Sequence, residues 1–285
     1  MAGVATDATT APTTPSTLRV VRRTPHYDAW MPSLPASVRL SLWTTAAWSR
    51  DEDLEGALTR ALPDVDHVAG DLAHLRLWHD LGERALLVAL PAPGDLIGMP
   101  GEPAPAQGAA AEAGECVFVP AVGGLLVPTI ADFGPRSGSA LDTGTRVDWK
   151  AYDADPMPRH RLEALEPSQL ERHLRLELIE ATEALERVGG RPFAGEAARE
   201  LADAALGGRW GLPDGLPPRA QRVIALAGTI GQVVDVALDG PDDALDTGTS
   251  QSRRSLLLRL QRSADRALAD AVNAACAVLA GWRPA

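Results

Sequence analysis

At 285 residues the chain allows one large domain or two modest ones, and either can bury a sizeable core. Its 45% hydrophobic and 23% charged residues are ordinary for a folded soluble protein. A formal net charge of -11, with both halves acidic, disfavours nucleic acid and anionic membrane as partners, because neither half offers a positive field.

Lys150 is the only lysine and Asn273 the only asparagine, a bias of the kind a GC-rich genome imposes. The three arginines Arg19, Arg22 and Arg23 form too short a basic cluster to reverse the charge balance. Cys116 and Cys276 lack metal-like spacing and are expected as reduced, buried thiols of a cytoplasmic protein. Residues 1–17 have no apolar core and do not read as a secretory signal. The most apolar stretch, Val223–Leu238, contains Gln232 and Asp235 and reads as too short to span a bilayer.

Residues 1–34 are expected to be a disordered tail and an extended lead-in, the first 17 lacking the apolar side chains that offset ordering entropy. "SVRLSLWT" alternates and predicts a strand. "SRDEDLEGALTRAL" predicts a helix capped by Ser49, with Glu52 completing a capping box. "LAHLRLWHDLGERALLVALPAPG" reads as two strands around a turn at Gly82 and Glu83. Gly101–Gly114 reads as a mobile Ala/Pro/Gly-rich loop. "ECVFVPAVGGLLVPTIADFG" predicts a hairpin turning at Gly123 and Gly124, where glycine supplies positive φ. "TRVDWKAYDA" predicts a further strand.

Beyond Pro156 and Pro158 the apolar period changes from two to 3.6. Ser168 and Glu171 predict a capping box opening a helix, with Leu170, Leu174, Leu178, Ala181, Leu185 and Val188 on one stripe and Gly189-Gly190 as its stop. A shorter helix is expected over 195–206. A third, nearly all apolar, runs to Leu238, with Ala225, Gly228 and Gly231 allowing a close neighbour. A fourth runs from about Ser252 to Ala280 and closes at Gly281. The expected class is α+β: a mostly antiparallel sheet with one helix over 35–156, then about four helices over 157–285.

The hexapeptide "ALDTGT" occurs at Ala140–Thr145 and again at Ala244–Thr249. Asp-Thr-Gly behind an apolar residue resembles the active-site loop of pepsin-like aspartic proteases. There two carboxylates share one site, so that one holds a proton while the other is ionised. That mechanism needs each loop presented by a β lobe. The first copy leads into a predicted strand; the second lies between predicted helices, where Thr249 to Ser252 read as cap residues. Two turns are the preferred reading, and a dyad of Asp142 and Asp246 is the alternative.

His67, Asp71 and His74 would share a helix face with zinc-like spacing, but His74 falls in a predicted strand, pointing away from His79, and no fourth ligand is evident. His173, Glu177 and Glu180 read as a solvated helix face. No metal site and no cofactor are expected. With one lysine and no glycines leading up to it, a Walker-type nucleotide loop is excluded, and no G-x-S-x-G elbow occurs. The seven tryptophans read as core packing rather than a stacking platform.

"LVALPAPGDLIGMPG", "VDWKAYDADPMPRHR" and "VLAGWRPA" resemble segments of an uncharacterised protein family of high-GC Gram-positive bacteria. The resemblance implies a cytoplasmic bacterial protein and attaches no activity, cofactor or partner.

The preferred functional expectation is a non-enzymatic cytoplasmic interaction or regulatory protein, acting through its helical half or as an oligomer. A hydrolase, sharpest as the Asp142/Asp246 dyad, is the alternative. One binding patch is expected. Val147, Trp149 and Ala151 should face the core, leaving Arg146, Asp148, Lys150 and Tyr152 on the opposite face of the strand. With Arg159, His160 and Arg161 beyond the prolines, Arg146, Lys150 and Tyr152 would form a cationic patch able to receive a carboxylate, a phosphate or a protein partner.

Overall fold

The computed structural model describes residues 34–101, 103–134, 143–188, 210–239 and 247–284. The expected tail over 1–33, the expected helix over 195–206 and its flanking glycine stops lie outside the described residues.

The chain opens with helices rather than a strand: α1 (Ala36–Arg50) and α2 (Leu54–Ala61) precede β1 (His67–Gly70). Then come α3 (Ala73–Asp80), β2 (Leu87–Ala89), α4 (Ala104–Ala113), β3 (Cys116–Val119), β4 (Gly124–Phe133) and β5 (Gly144–Tyr152). The second half holds α5 (Arg159–Glu163), α6 (Pro167–Val188), α7 (Pro218–Asp239) and α8 (Thr247–Leu279). The class is α+β with a mixed five-stranded sheet, its first strand paired in parallel where antiparallel pairing was expected, and the first half contributes four helices where one was expected. Its strand order is β1-β5-β4-β3-β2, with β1 parallel to β5 and the other three ladders antiparallel.

The missed helices each have a local cause. In α1, Val38 and Leu42 enter one core cluster while Ala36, Leu40 and Trp48 enter another. Residues two apart on a helix point to nearly opposite sides. A helix buried on both sides therefore shows the same alternation as a strand. In α3, Leu75 and Trp78 are buried three residues apart while Leu77 is half exposed. Gly82 closes α3 with φ +100: its N–H bonds to the His79 carbonyl, and that of Glu83 to the Trp78 carbonyl. It is a helix stop, not a hairpin turn. The stretch expected to be a mobile loop holds α4, which buries Ala106 and Ala110 one turn apart and ends at Gly114.

Cap positions move as well. Asp53, not Ser49, caps α2, accepting from the Gly56 N–H at 2.7 Å, while the Ser49 hydroxyl donates back to Ala46. α6 starts at Pro167, one residue before the expected cap Ser168, and α8 starts at Thr247, so that Thr249 and Ser252 lie inside the helix.

The β3–β4 hairpin turns where expected, with Gly123 at φ +74. β5 alternates as expected, with Val147 and Trp149 buried. α6 turns Leu174 and Ala181 into the core, with Leu170, Leu178 and Leu185 packed beside them.

The sheet is covered on both faces. Val117, Val119, Leu126, Val147 and Trp149 pack on α1, α2 and α3. Cys116, Phe118 and Leu125 belong to the other cluster with Val223 and Ile224 of α7 and Leu268, Val272 and Cys276 of α8. One core thus draws on residues from both sides of Pro156. The α7 helix extends beyond Val223–Leu238 to 22 residues, long and apolar enough by composition to cross a membrane, with 39% of its most apolar window buried in this fold.

Candidate functional site

The residues of the expected cationic patch are divided between β5 and α5. On β5, the Arg146 guanidinium is held by Asp148 on the same face at 2.6 Å, and the Lys150 ammonium sits over the Tyr152 ring at 5.1 Å. On α5, Arg159 lies over the Trp282 ring at 4.7 Å, while His160 and Arg161 are exposed. No hydrogen bond or ion pair joins the β5 group to the α5 group among the described residues.

The histidine constellations also separate. His67 is on β1 and His74 on α3, where His74 Nδ1 lies 2.9 Å from the Asp71 carbonyl of its own turn. His74 and His79 share α3, contrary to the strand expectation. Asp71 instead accepts the Ala151 N–H at 2.9 Å, extending the parallel pairing of β1 with β5. On α6, His173 and Glu180 are exposed and Glu177 is half-buried. Among the described residues no group of three His, Cys, Asp or Glu could hold a metal ion. Asp142 and Asp246 both lie outside the described residues; the chain after the first enters β5 and after the second enters α8.

Glu83 is a buried carboxylate whose Oε1 accepts the N–H groups of Ala121 and Val122 at 2.6 and 2.7 Å, closing the β3–β4 turn. Burial pushes its pKa up, against those two donors and the positive charge of Arg159.

A polar concavity lies where the sequence showed no motif. The last turn of α6 and the first half of α8 border an open groove of about 640 Å³ lined by Ala184, Arg187, Val188, Ser252, Ser255, Leu256, Leu258, Arg259 and Arg262. Arg283, near the C-terminal end of α8, bonds Glu166 and Leu165 at the start of α6, so the two helices run antiparallel. That direction brings Arg187 to Arg259 and Arg262. Among the described residues the three arginines have no ion pair, and no carboxylate lines the cavity. The only hint in the sequence was the spacing of Ser252, Ser255, Arg259 and Arg262, which puts them on one face of α8.

Arg262 also borders a second, smaller cavity beneath the 90–98 loop, shared with Asp95, Asp265, Arg266, Asp270 and Asn273. There Arg266 pairs with Asp95 at 2.8 Å. Burial pushes the Asp270 carboxyl up to about 6, opposed by Arg266.

Residues 37–164 match the model of the Rv1486c-like protein N-terminal domain, and residues 168–269 match that of the Rv1486c-like protein C-terminal domain. No curated protein and no solved structure matches the chain significantly. The two matches follow one another along most of the chain, in accord with the resemblance of its segments to an actinobacterial-type family, and the protein belongs to the Rv1486c-like family.

Proposed function

We propose that this protein is a non-enzymatic, cytoplasmic interaction protein that works as a self-associated pair, joined through the outer side of α6. The observation that carries this reading is a stripe on that helix. Leu176 and Ile179 are 51% and 55% exposed although the opposite side of the helix is in the core. Arg172 and Glu183 flank them at spacings of four residues, so the four side chains lie on one line along the helix.

The stripe is self-complementary. Two copies of α6 laid antiparallel about a two-fold axis midway between Glu177 and Leu178 set Leu176 against Ile179 of the other copy, and Arg172 against Glu183. A two-fold interface uses the same surface on both partners, which this order of charge, apolar, apolar, opposite charge satisfies. Arg172 and Glu183 have no ion pair within the chain among the described residues, whereas neighbouring Arg175 is paired with Glu171 at 2.8 Å.

Sedimentation equilibrium tests the reading. The wild type should be a dimer in the micromolar range and Ile179→Glu a monomer. Arg172→Glu should weaken the dimer, and adding Glu183→Arg should restore it. A wild type that stays monomeric at 100 times the assay concentration, or a dimer indifferent to Ile179→Glu, would overturn it.

A further inference from the structure

The groove between α6 and α8 points beyond self-association. The chain carries 38 acidic side chains against 27 basic ones, and several of its arginines take a carboxylate partner. Arg146, Arg175, Arg266 and Arg283 each have one. Arg187, Arg259 and Arg262 all border one cavity and have no ion pair among the described residues, although Arg262 also reaches the smaller cavity lined by Asp95, Asp265 and Asp270. Three like charges around one concavity repel one another, and because all three side chains are exposed, water weakens that repulsion without cancelling it. A bound anion removes it.

The lining says which anion. Guanidinium groups present paired N–H donors that match phosphate and carboxylate oxygens, and three of them around one space suit two or more negative charges. Ser252 adds a hydroxyl on the same side of α8, while Ala184, Val188 and Leu256 add an apolar wall. The volume of about 640 Å³ falls in the range of small-molecule sites and exceeds what a single inorganic ion fills. We infer that this groove binds a small organic polyanion, with phosphate or carboxylate oxygens on the arginines and an apolar body against Val188 and Leu256.

Isothermal titration at low ionic strength tests this with three probes: pyrophosphate, ADP and citrate. At least one should bind one to one, and raising the salt should weaken it. ADP binding more tightly than pyrophosphate would mark a phosphate ligand using the apolar wall; citrate binding most tightly would mark a carboxylate ligand. Arg187→Ala and the Arg259→Ala/Arg262→Ala double variant should each weaken binding at least tenfold, while Arg76→Ala, on exposed α3, should not. Circular dichroism confirms that the variants fold. Ile179→Glu, which separates the proposed pair, should leave the titration unchanged, so failure of self-association and failure of the groove are read separately. No binding by any probe, or binding undiminished in the arginine variants, would overturn the inference.

Discussion

The carboxamide of Asn273 on α8 clamps the backbone of Val88 on β2: Oδ1 accepts the Val88 N–H at 2.8 Å, and Nδ2 donates to the Val88 carbonyl at 2.9 Å. β2 is the last strand of its sheet, so its outward backbone groups have no neighbouring strand. One amide side chain reproduces the donor and acceptor that such a strand would supply. Two residues earlier, Ser41 and Thr45 of α1 do the same for Leu86. Both hydroxyls donate to its carbonyl, at 2.6 and 3.2 Å, and Thr45 Oγ1 lies 3.0 Å from its N–H. The edge is closed by side chains from two helices.

Asn273→Leu should therefore cost far more than its gain in hydrophobicity. It leaves a buried N–H and a buried carbonyl unpaired, at about 1–3 kcal/mol each. Urea denaturation should show a loss of roughly 2–4 kcal/mol with an unchanged m-value. A loss below about half a kcal/mol would mean that water replaces the amide and that the clamp contributes little.

Glu115 acts on α1 from 78 residues away. Pro35 stands at the cap position and offers no side-chain acceptor, so the Ser37 N–H is taken at 2.7 Å by Glu115 Oε2. The carboxylate also sits at the positive end of the helix dipole. Glu115→Ala should cost about 1–2 kcal/mol in thermal unfolding, and Glu115→Gln, which keeps an acceptor but no charge, about half as much. Equal losses would remove the dipole from the account.

Asp270 makes stability depend on pH in the opposite sense to a salt-bridged carboxylate. Its folded value of about 6 lies above the ordinary 3.8 because burial disfavours the charge. Between those values the folded chain holds the proton more tightly than the unfolded one. Stability from this group is full below about 4, falls as pH rises to about 6, and is level above. The positive charge of Arg266 opposes part of the effect, and Arg262, Asp95 and Asp265 border the same space. Asp270→Asn should flatten that decline, raising stability at pH 7 relative to pH 4 by about 1–2 kcal/mol compared with wild type. Parallel pH profiles for the two proteins would show that the decline has another source.

Gly228 in α7 sets two effects of known size against each other. Alanine is favoured over glycine inside a helix by about 1 kcal/mol. A Cβ there would meet the Trp210 ring at 2.8 Å and the Leu34 methyl at 2.9 Å, and overpacking of this kind costs about 1–3 kcal/mol. Packing should win, and Gly228→Ala should be the less stable protein by calorimetry. A stabilised variant would mean that Trp210 and Leu34 move aside freely.

The elements legible in the sequence are those with one buried side and a local stop. The Gly123 turn, the alternation of β5, the apolar stripe of α6 and the end of α8 all follow from patterns within a few residues. At that last end the Trp282 N–H returns to the Ala277 carbonyl around Gly281 at φ +71. In each case a single period or one glycine carries the information, and no distant partner is needed to read it.

What the tertiary structure alone decided depends on partners distant in sequence. α1 reads as a strand because α2, α3 and the sheet bury one side and α8 the other. Arg146 and Lys150 take their partners Asp148 and Tyr152 from their own strand, a pairing the alternation alone does not state. Arg187 and Arg259 meet only because α6 and α8 pack antiparallel. Asn273 becomes a substitute strand only because β2 ends the sheet beside it. Periodicity reports how one segment divides its own faces; which surface covers each face is set by packing between segments, and no window along the chain contains it.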